Sequence, residues 1–196
     1  VNGITLTRNN YRELLLSDEL TYTLNMANVE GGAIVTNGVD VELTKEENFE
    51  TNPVQVYKTI ETSVGKMGYI MYNQFVGEKS PELNQVFGDL KSQGITELIL
   101  DLRYNGGGSV RNCIELASMI TGQFNNEVFS KEQWNSKLEA FLIERYGEES
   151  LTDRFVDKLA ENDEAINSLN LNRVVIIATS DSASASELLI NSLSPY

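Results

Sequence analysis

Histidine is absent from this 196-residue sequence and cysteine occurs once. Without histidine, these residues cannot assemble a Ser-His-Asp triad or a zinc site with an imidazole ligand. The lone thiol, Cys113, excludes an internal disulfide and cysteine-ligated zinc. It lies in an apolar stretch of helical spacing, where a buried, inert thiol is expected. Positive charge is scarce: 15 Lys and Arg stand against 29 Asp and Glu, a net charge of −14. That balance argues against nucleic acid and anionic membrane surfaces, which need basic patches. No apolar run approaches the ~20 residues of a membrane span. No signal peptide is visible, and Val1-Asn2-Gly3 does not resemble a natural start, so the reading expects a piece of a longer precursor.

What is present suits a packed globular protein, with 41% hydrophobic residues. Residues 1–50 are short and turn-rich. Val1-Asn2-Gly3 reads as a strand entering a turn, and Thr7 as the cap of a helix through Leu16, with Tyr11, Leu14 and Leu15 on one face. Tyr22-Thr23-Leu24 and Val39 to Leu43 alternate as strands do, Gly31-Gly32 and Asn37-Gly38 are turn signals, and Glu46 to Pro53 reads as a linker.

Residues 51–196 carry the α/β pattern. Gly68 to Tyr72 reads as a strand. Ser80-Pro81-Glu82 opens a helix as N-cap, N1 proline and first-turn acid, and Leu83, Val86, Phe87 and Leu90 fall on one face before Gly94. Leu98-Ile99-Leu100 is apolar on both faces, as in a covered sheet. Val110 to Ile120 is helical, and Val174 to Ala178 reads as a buried strand. Alternating strands and helices predict largely parallel strands with right-handed crossovers. Residues 125–170 interrupt the alternation; helical stripes at Trp134, Leu138, Phe141, Leu142 and at Leu151, Phe155, Leu159 read as an inserted helical cap or a long surface excursion, with plain packing helices as the alternative to a functional lid.

Two constellations can carry chemistry. Asp101-Leu102-Arg103-Tyr104-Asn105-Gly106-Gly107-Gly108 follows the central strand at its carboxyl end, where open α/β sheets build sites. Glycines let backbone N–H groups approach a phosphate or an oxyanion. The phosphate reading lacks a Gly-Lys-Ser/Thr end and G-x-G-x-x-G spacing. The plain alternative is a tight turn held by an Asp101–Arg103 salt bridge. Ser182-Ala183-Ser184-Ala185-Ser186-Glu187 follows the next strand and leads into Leu188-Leu189-Ile190. Ser184 and Glu187 stand at capping-box spacing, so Ser184 reads both as an N-cap and as a nucleophile at a helix N-terminus.

Taken together, Gly65-Lys66-Met67-Gly68-Tyr69-Ile70, then Glu97 to Gly108, then Ser182 to Glu187 resemble the S41 serine peptidases, the C-terminal processing and tricorn-like proteases, and among them the Bacteroidetes-type versions. The resemblance spans about residues 64–196; residues 1–45 resemble, less specifically, the later half of a PDZ-type domain. It implies a ClpP/crotonase-like stack of ββα units, C-terminally incomplete, with Ser184 as nucleophile. The oxyanion hole would be made by the backbone N–H of Ala185 with that of Gly107 or Gly108. It implies a polypeptide substrate, no cofactor, no metal and a bacterial cell-envelope location. The family's usual base is a lysine roughly two dozen residues after the serine, where a lowered pKa keeps it neutral. No lysine follows Lys158, and Lys66 matches a motif at a strand start rather than the base. Residues 1–196 are therefore expected to hold a nucleophile and a hole without their base, and to be inactive alone. Two alternatives remain: a non-catalytic ligand- or peptide-binding protein on this fold, and a crotonase-like acyl-CoA enzyme, against which the serine run speaks.

Overall fold

The computed structural model describes residues 1–47, 49–63 and 65–196. The chain divides into two units, Val1–Thr51 and Asn52–Tyr196.

The first unit holds a short helix, α1 (Tyr11–Leu15), and an antiparallel ribbon of β1 (Thr21–Glu30) and β2 (Ala33–Thr44). Gly31-Gly32 makes the reversal, both at positive φ. Asn37-Gly38 does not reverse the chain. Asn25 faces Asp40 and Ala27 faces Thr36, so the three residues 37–39 stand opposite Met26 alone, a bulge in which Gly38 takes φ +74. The helix is shorter than predicted. Asn10, not Thr7, precedes it, and Asn10 Oδ1 accepts the Thr7 N–H (2.7 Å), which tightens a turn where a helical start was expected. Val1 to Gly3 form a turn rather than a strand. The predicted linker over Glu46–Pro53 includes Asn48, which lies outside the described residues.

The second unit is built on a four-stranded sheet in the order β3 (Val54–Thr62), β4 (Gly65–Tyr72), β5 (Glu97–Asp101), β8 (Val174–Ile177). Strands β3 and β4 pair antiparallel, while β4, β5 and β8 run parallel. The β4–β5 connection passes through α2 (Ser80–Ser92). After β5 the chain makes α3 (Val110–Thr121), β6 (Val128–Lys131), α4 (Ser136–Tyr146) and β7 (Thr152–Arg154), returns to β8, and ends in α5 (Ala185–Leu193). Leu98 and Leu100 of β5, Leu83, Phe87 and Leu90 of α2, Leu116 and Met119 of α3 and Leu189 of α5 are fully buried in one core. Leu98 and Leu100 are fully buried while Ile99 is half-buried, so one face of β5 is covered completely and the other in part.

Four readings of the sequence need correction here. Strand β3, with Val54, Val56 and Ile60 at every second or fourth position, was not foreseen beside the linker. Ser80 is the first residue of α2, not its cap, and its hydroxyl is buried on Glu115 and Asn112. The stripe Leu151–Phe155–Leu159 is not helical: β7 and a following loop deliver Phe155 and Leu159 into the core, so extended backbone meets a packing demand that mimics helical spacing. Of the first stripe, Leu138, Phe141 and Leu142 lie in α4, which has no buried residue, while Trp134 precedes the helix. Strand β8 is an edge strand, half-buried rather than enclosed, with Val175 exposed. Among the described residues, no helix is long and apolar enough to cross a membrane.

Candidate functional site

Strands β5 and β8 are parallel neighbours, with Asp101 beside Ile177. The glycine loop and the serine loop therefore leave the same end of the sheet side by side. Lys66 sits at the opposite, amino end of β4, in a solvent-exposed pair with Glu61 (3.4 Å).

The glycine loop is fixed by backbone contacts that no side chain would permit. Gly107 and Gly108 take φ +104 and +136. A Cβ on Gly108 would lie 2.1 Å from the carbonyl oxygen of Phe75. This closeness is the mark of a one-residue parallel bridge: Phe75 N–H donates to Gly107 O (3.0 Å) and Ser109 N–H to Phe75 O (2.9 Å). Ser109 then caps α3, its Oγ accepting the Asn112 N–H (3.3 Å). At the root of the loop, Asp101 is buried and takes Arg103 in a bidentate pair (2.7 and 3.0 Å) and the Tyr69 hydroxyl (2.7 Å). The Arg103 guanidinium, helped by Tyr69, holds the Asp101 carboxyl down at about 2 against its burial. The predicted salt bridge is thus present and coexists with the glycine loop.

The serine loop is zipped onto residues 102–105 through successive carbonyls. Ser182 Oγ donates to Leu102 O (2.7 Å), Thr179 Oγ1 to Arg103 O (3.0 Å), and Ser186 Oγ to Asn105 O (2.9 Å). Ala183 N–H reaches the same Asn105 oxygen (3.3 Å). These bonds sort the three serines. Ser182 and Ser186 are buried, with their hydroxyls committed to backbone. Ser184 is exposed and sits at φ 54, ψ −114, a strained conformation for a residue with a Cβ. Its capping box with Glu187 holds it there, the Ser184 N–H donating to Glu187 Oε2 (2.8 Å).

The two loops meet at Gly107. A Cβ there would lie 2.7 Å from Ser184 Cβ and 3.0 Å from the Ala185 nitrogen. Ala185 is the first residue of α5; the helical ladder begins only with Leu188 N–H on Ser184 O (2.9 Å), and Ser186 N–H turns back to Ala183 O (3.1 Å). The Ala185 N–H therefore belongs to the orphan donors of a helix start. Gly107 N–H is already taken by Asn105 Oδ1 (2.9 Å), whereas Gly108 N–H has no such bond among the described residues. Beside this junction a depression of about 510 Å³ is lined by Arg103, Tyr104, Gly106, Thr179 and Asp181. Cys113 lies behind α5, its thiol on Ala185 O (3.3 Å) and pushed up to about 12 by burial, so it stays protonated and inert.

Sequence reasoning brought Ser184, Ala185, Gly107 and Gly108 together, and all four lie at this junction. It missed Asn105 and the flanking serines. An asparagine before glycines reads as an ordinary turn residue, and Ser-x-Ser-x-Ser spacing says nothing about which hydroxyl faces solvent.

The profile of peptidase family S41 matches residues 66–195. A CtpA-like serine protease of Staphylococcus epidermidis is 24% identical over 152 residues, 78% of this chain and 27% of that protein. A carboxyl-terminal-processing protease of Picosynechococcus sp. is 35% identical over 84 residues, 42% of this chain and 20% of that one. Among solved structures, an S41 protease from Bacteroides fragilis matches with a TM-score of 0.67 at 27% identity, covering 100% of this chain and 50% of its own. The photosystem II D1 C-terminal processing protease shares the fold with a TM-score of 0.50 at 21% identity, over 80% of this chain and 37% of that one. The chain thus spans about a quarter of the length of the curated relatives it matches.

Proposed function

Because this chain belongs to peptidase family S41, we propose that it forms the nucleophile-and-oxyanion half of a serine peptidase site that cuts polypeptides. The observation that carries the reading is Ser184 itself: of three clustered serines it alone is exposed, strained at the start of α5, and in contact with a glycine that has no room for a side chain. Ser184 Oγ attacks the peptide carbonyl carbon and gives its proton to a base. The carbonyl oxygen becomes the oxyanion, accepting from Ala185 N–H and from Gly108 N–H. Gly108 is the better of the two glycine candidates, since Gly107 N–H already serves Asn105. Each such donor is worth roughly 10²–10³ in rate. Collapse expels the amine, which takes the proton back from the base; water then cleaves the acyl-enzyme by the same steps.

The base is a lysine supplied from outside residues 1–196, as the resemblance implies. The sequence holds no histidine, and Lys66, the lysine within a family motif, stands at the far end of β4 from Ser184. The name of the Picosynechococcus relative supports substrates processed at their carboxyl ends; a cell-envelope location rests on the family resemblance alone. The first unit is read as part of a PDZ-like module that presents such ends.

The test is labelling with a fluorophosphonate followed by peptide mapping. The intact gene product should label at Ser184 and lose both label and peptide hydrolysis in Ser184→Ala; adduct on Ser182 or Ser186 would overturn the assignment. Residues 1–196 alone should not turn over peptide, and robust turnover abolished by Ser184→Ala would refute the external base. A second reading, a non-catalytic binder of apolar ligands, draws on an open cavity of about 430 Å³ lined by Ile120, Phe124, Val174, Ile190, Leu193 and Tyr196. It would be favoured if the intact product neither labelled nor hydrolysed but bound a fluorescent fatty acid there.

A further inference from the structure

We infer that Asn105 and Ser186 are the positioning residues that hold the oxyanion donors in register with Ser184, an inference that rests on the reading of Ser184 as nucleophile. Asn105 is fully buried, so it cannot touch a substrate. Yet it ties together all three pieces of backbone that make the site. Its Nδ2 donates to Tyr72 O at the end of β4 (3.0 Å), and its Oδ1 accepts Gly107 N–H (2.9 Å). Its main-chain oxygen accepts Ser186 Oγ (2.9 Å) and Ala183 N–H (3.3 Å) from the serine loop. Only one orientation of the amide satisfies both side-chain bonds, because a carbonyl faces one end and an N–H the other. No aspartate or leucine of similar size offers a donor and an acceptor at those two ends.

The consequence is a mechanical coupling through one residue. The Asn105 side chain holds the Gly106–Gly107 peptide, one before that of Gly108, and its carbonyl holds the turn that leads into Ala185. The donors from the two loops are thereby fixed to the same anchor, Tyr72 O, in the sheet. Ser186 closes the circuit. It follows Ala185 directly and is fully buried, so its hydroxyl bond pins the first turn of α5 against the glycine loop. Loss of either bond should leave the protein folded and the substrate groove open, but let the two donors drift apart. That penalises the transition state, where the oxyanion exists, and spares the bound substrate, where it does not.

The experiment compares Asn105→Ala, Asn105→Asp, Ser186→Ala and Ser184→Ala in the intact gene product, reading kcat and KM on a peptide substrate, affinity for a peptide boronic acid, and thermal midpoint. A displacement of about 1 Å costs on the order of 10² in rate. Asn105→Ala should therefore lower kcat about 10²-fold with KM changed less than about twofold. Asn105→Asp should do no better, since it keeps the acceptor for Gly107 but sets a carboxylate oxygen against Tyr72 O. Ser186→Ala should cost roughly tenfold, the worth of about one hydrogen bond. Boronate affinity should fall in step with kcat, because the boronate's oxygen occupies the oxyanion position. If Asn105→Ala does not fold, Ser186→Ala alone decides. Variants that lose thermal stability but keep kcat and boronate affinity would overturn the inference. Full activity in Ser184→Ala would instead overturn the reading of the nucleophile beneath it.

Discussion

The two units of this chain organise similar β-rich sequence in opposite ways. Among the described residues of the first, Val1 alone is buried, and Val29 and Ile34 face solvent at 76% and 81% exposure. The second encloses Leu98, Leu100, Leu83, Phe87 and Leu116 at zero exposure. A two-stranded ribbon makes every backbone bond it can and still has only one layer, so it has nothing to bury its side chains against. The sheet of the second unit has helices to cover it. The lesson concerns precision as well as stability. A site that depends on tenths of an ångström sits where packing over-determines the backbone, and strain such as that at Ser184 survives only there.

This contrast can be broken or sharpened by measurement. The largest effect is expected from Phe87→Ala, which should cost about 3–5 kcal/mol in urea unfolding, while Ile34→Ala should stay within about 0.5 kcal/mol. Comparable losses would mean that the ribbon is as well packed as the sheet. Next, limited proteolysis of the whole chain should nick the ribbon region first and leave a resistant product starting near Asn52; early cuts in 97–121 would contradict that order. A smaller effect concerns Asp101. Its folded carboxyl sits near 2, below the ordinary 3.8, so its contribution is complete above about pH 3.8 and disappears as pH falls toward 2. The stability difference between the parent and Asp101→Asn should shrink across that interval; a difference independent of pH would show that the charge is irrelevant. Smallest of all, Cys113, with its thiol near 12, should resist a disulfide reagent at pH 8 and react with one equivalent on unfolding. Fast native reaction would place the helix-packed half of the contrast in doubt.

Much of the second unit was legible because its elements obey local rules. The run Leu98-Ile99-Leu100 can only be a covered strand, and Ser184 with Glu187 announces a helix start that the structure keeps. What escaped was tertiary in origin. Phe155 and Leu159 share the spacing of a helix face, yet both reach the core from non-helical backbone. Asn37-Gly38 spells a turn, but the ribbon absorbs it as a bulge. At the site, the sequence names the glycines and the serine but not the wiring between them. The Ser186 hydroxyl bonds a backbone oxygen 81 residues away in the chain and the Asn105 amide one 33 residues away, and no local pattern encodes partners at such separations.

The vacant space at Gly107 carries a last consequence. A single methyl group there would come to rest against Ser184 Cβ and the peptide nitrogen of Ala185. Such a variant would keep every polar atom of the site and lose the room those atoms need to stand together. The smallest possible insertion, one carbon with no charge and no reactivity, would push Ser184 and the Ala185 N–H away from the glycine loop.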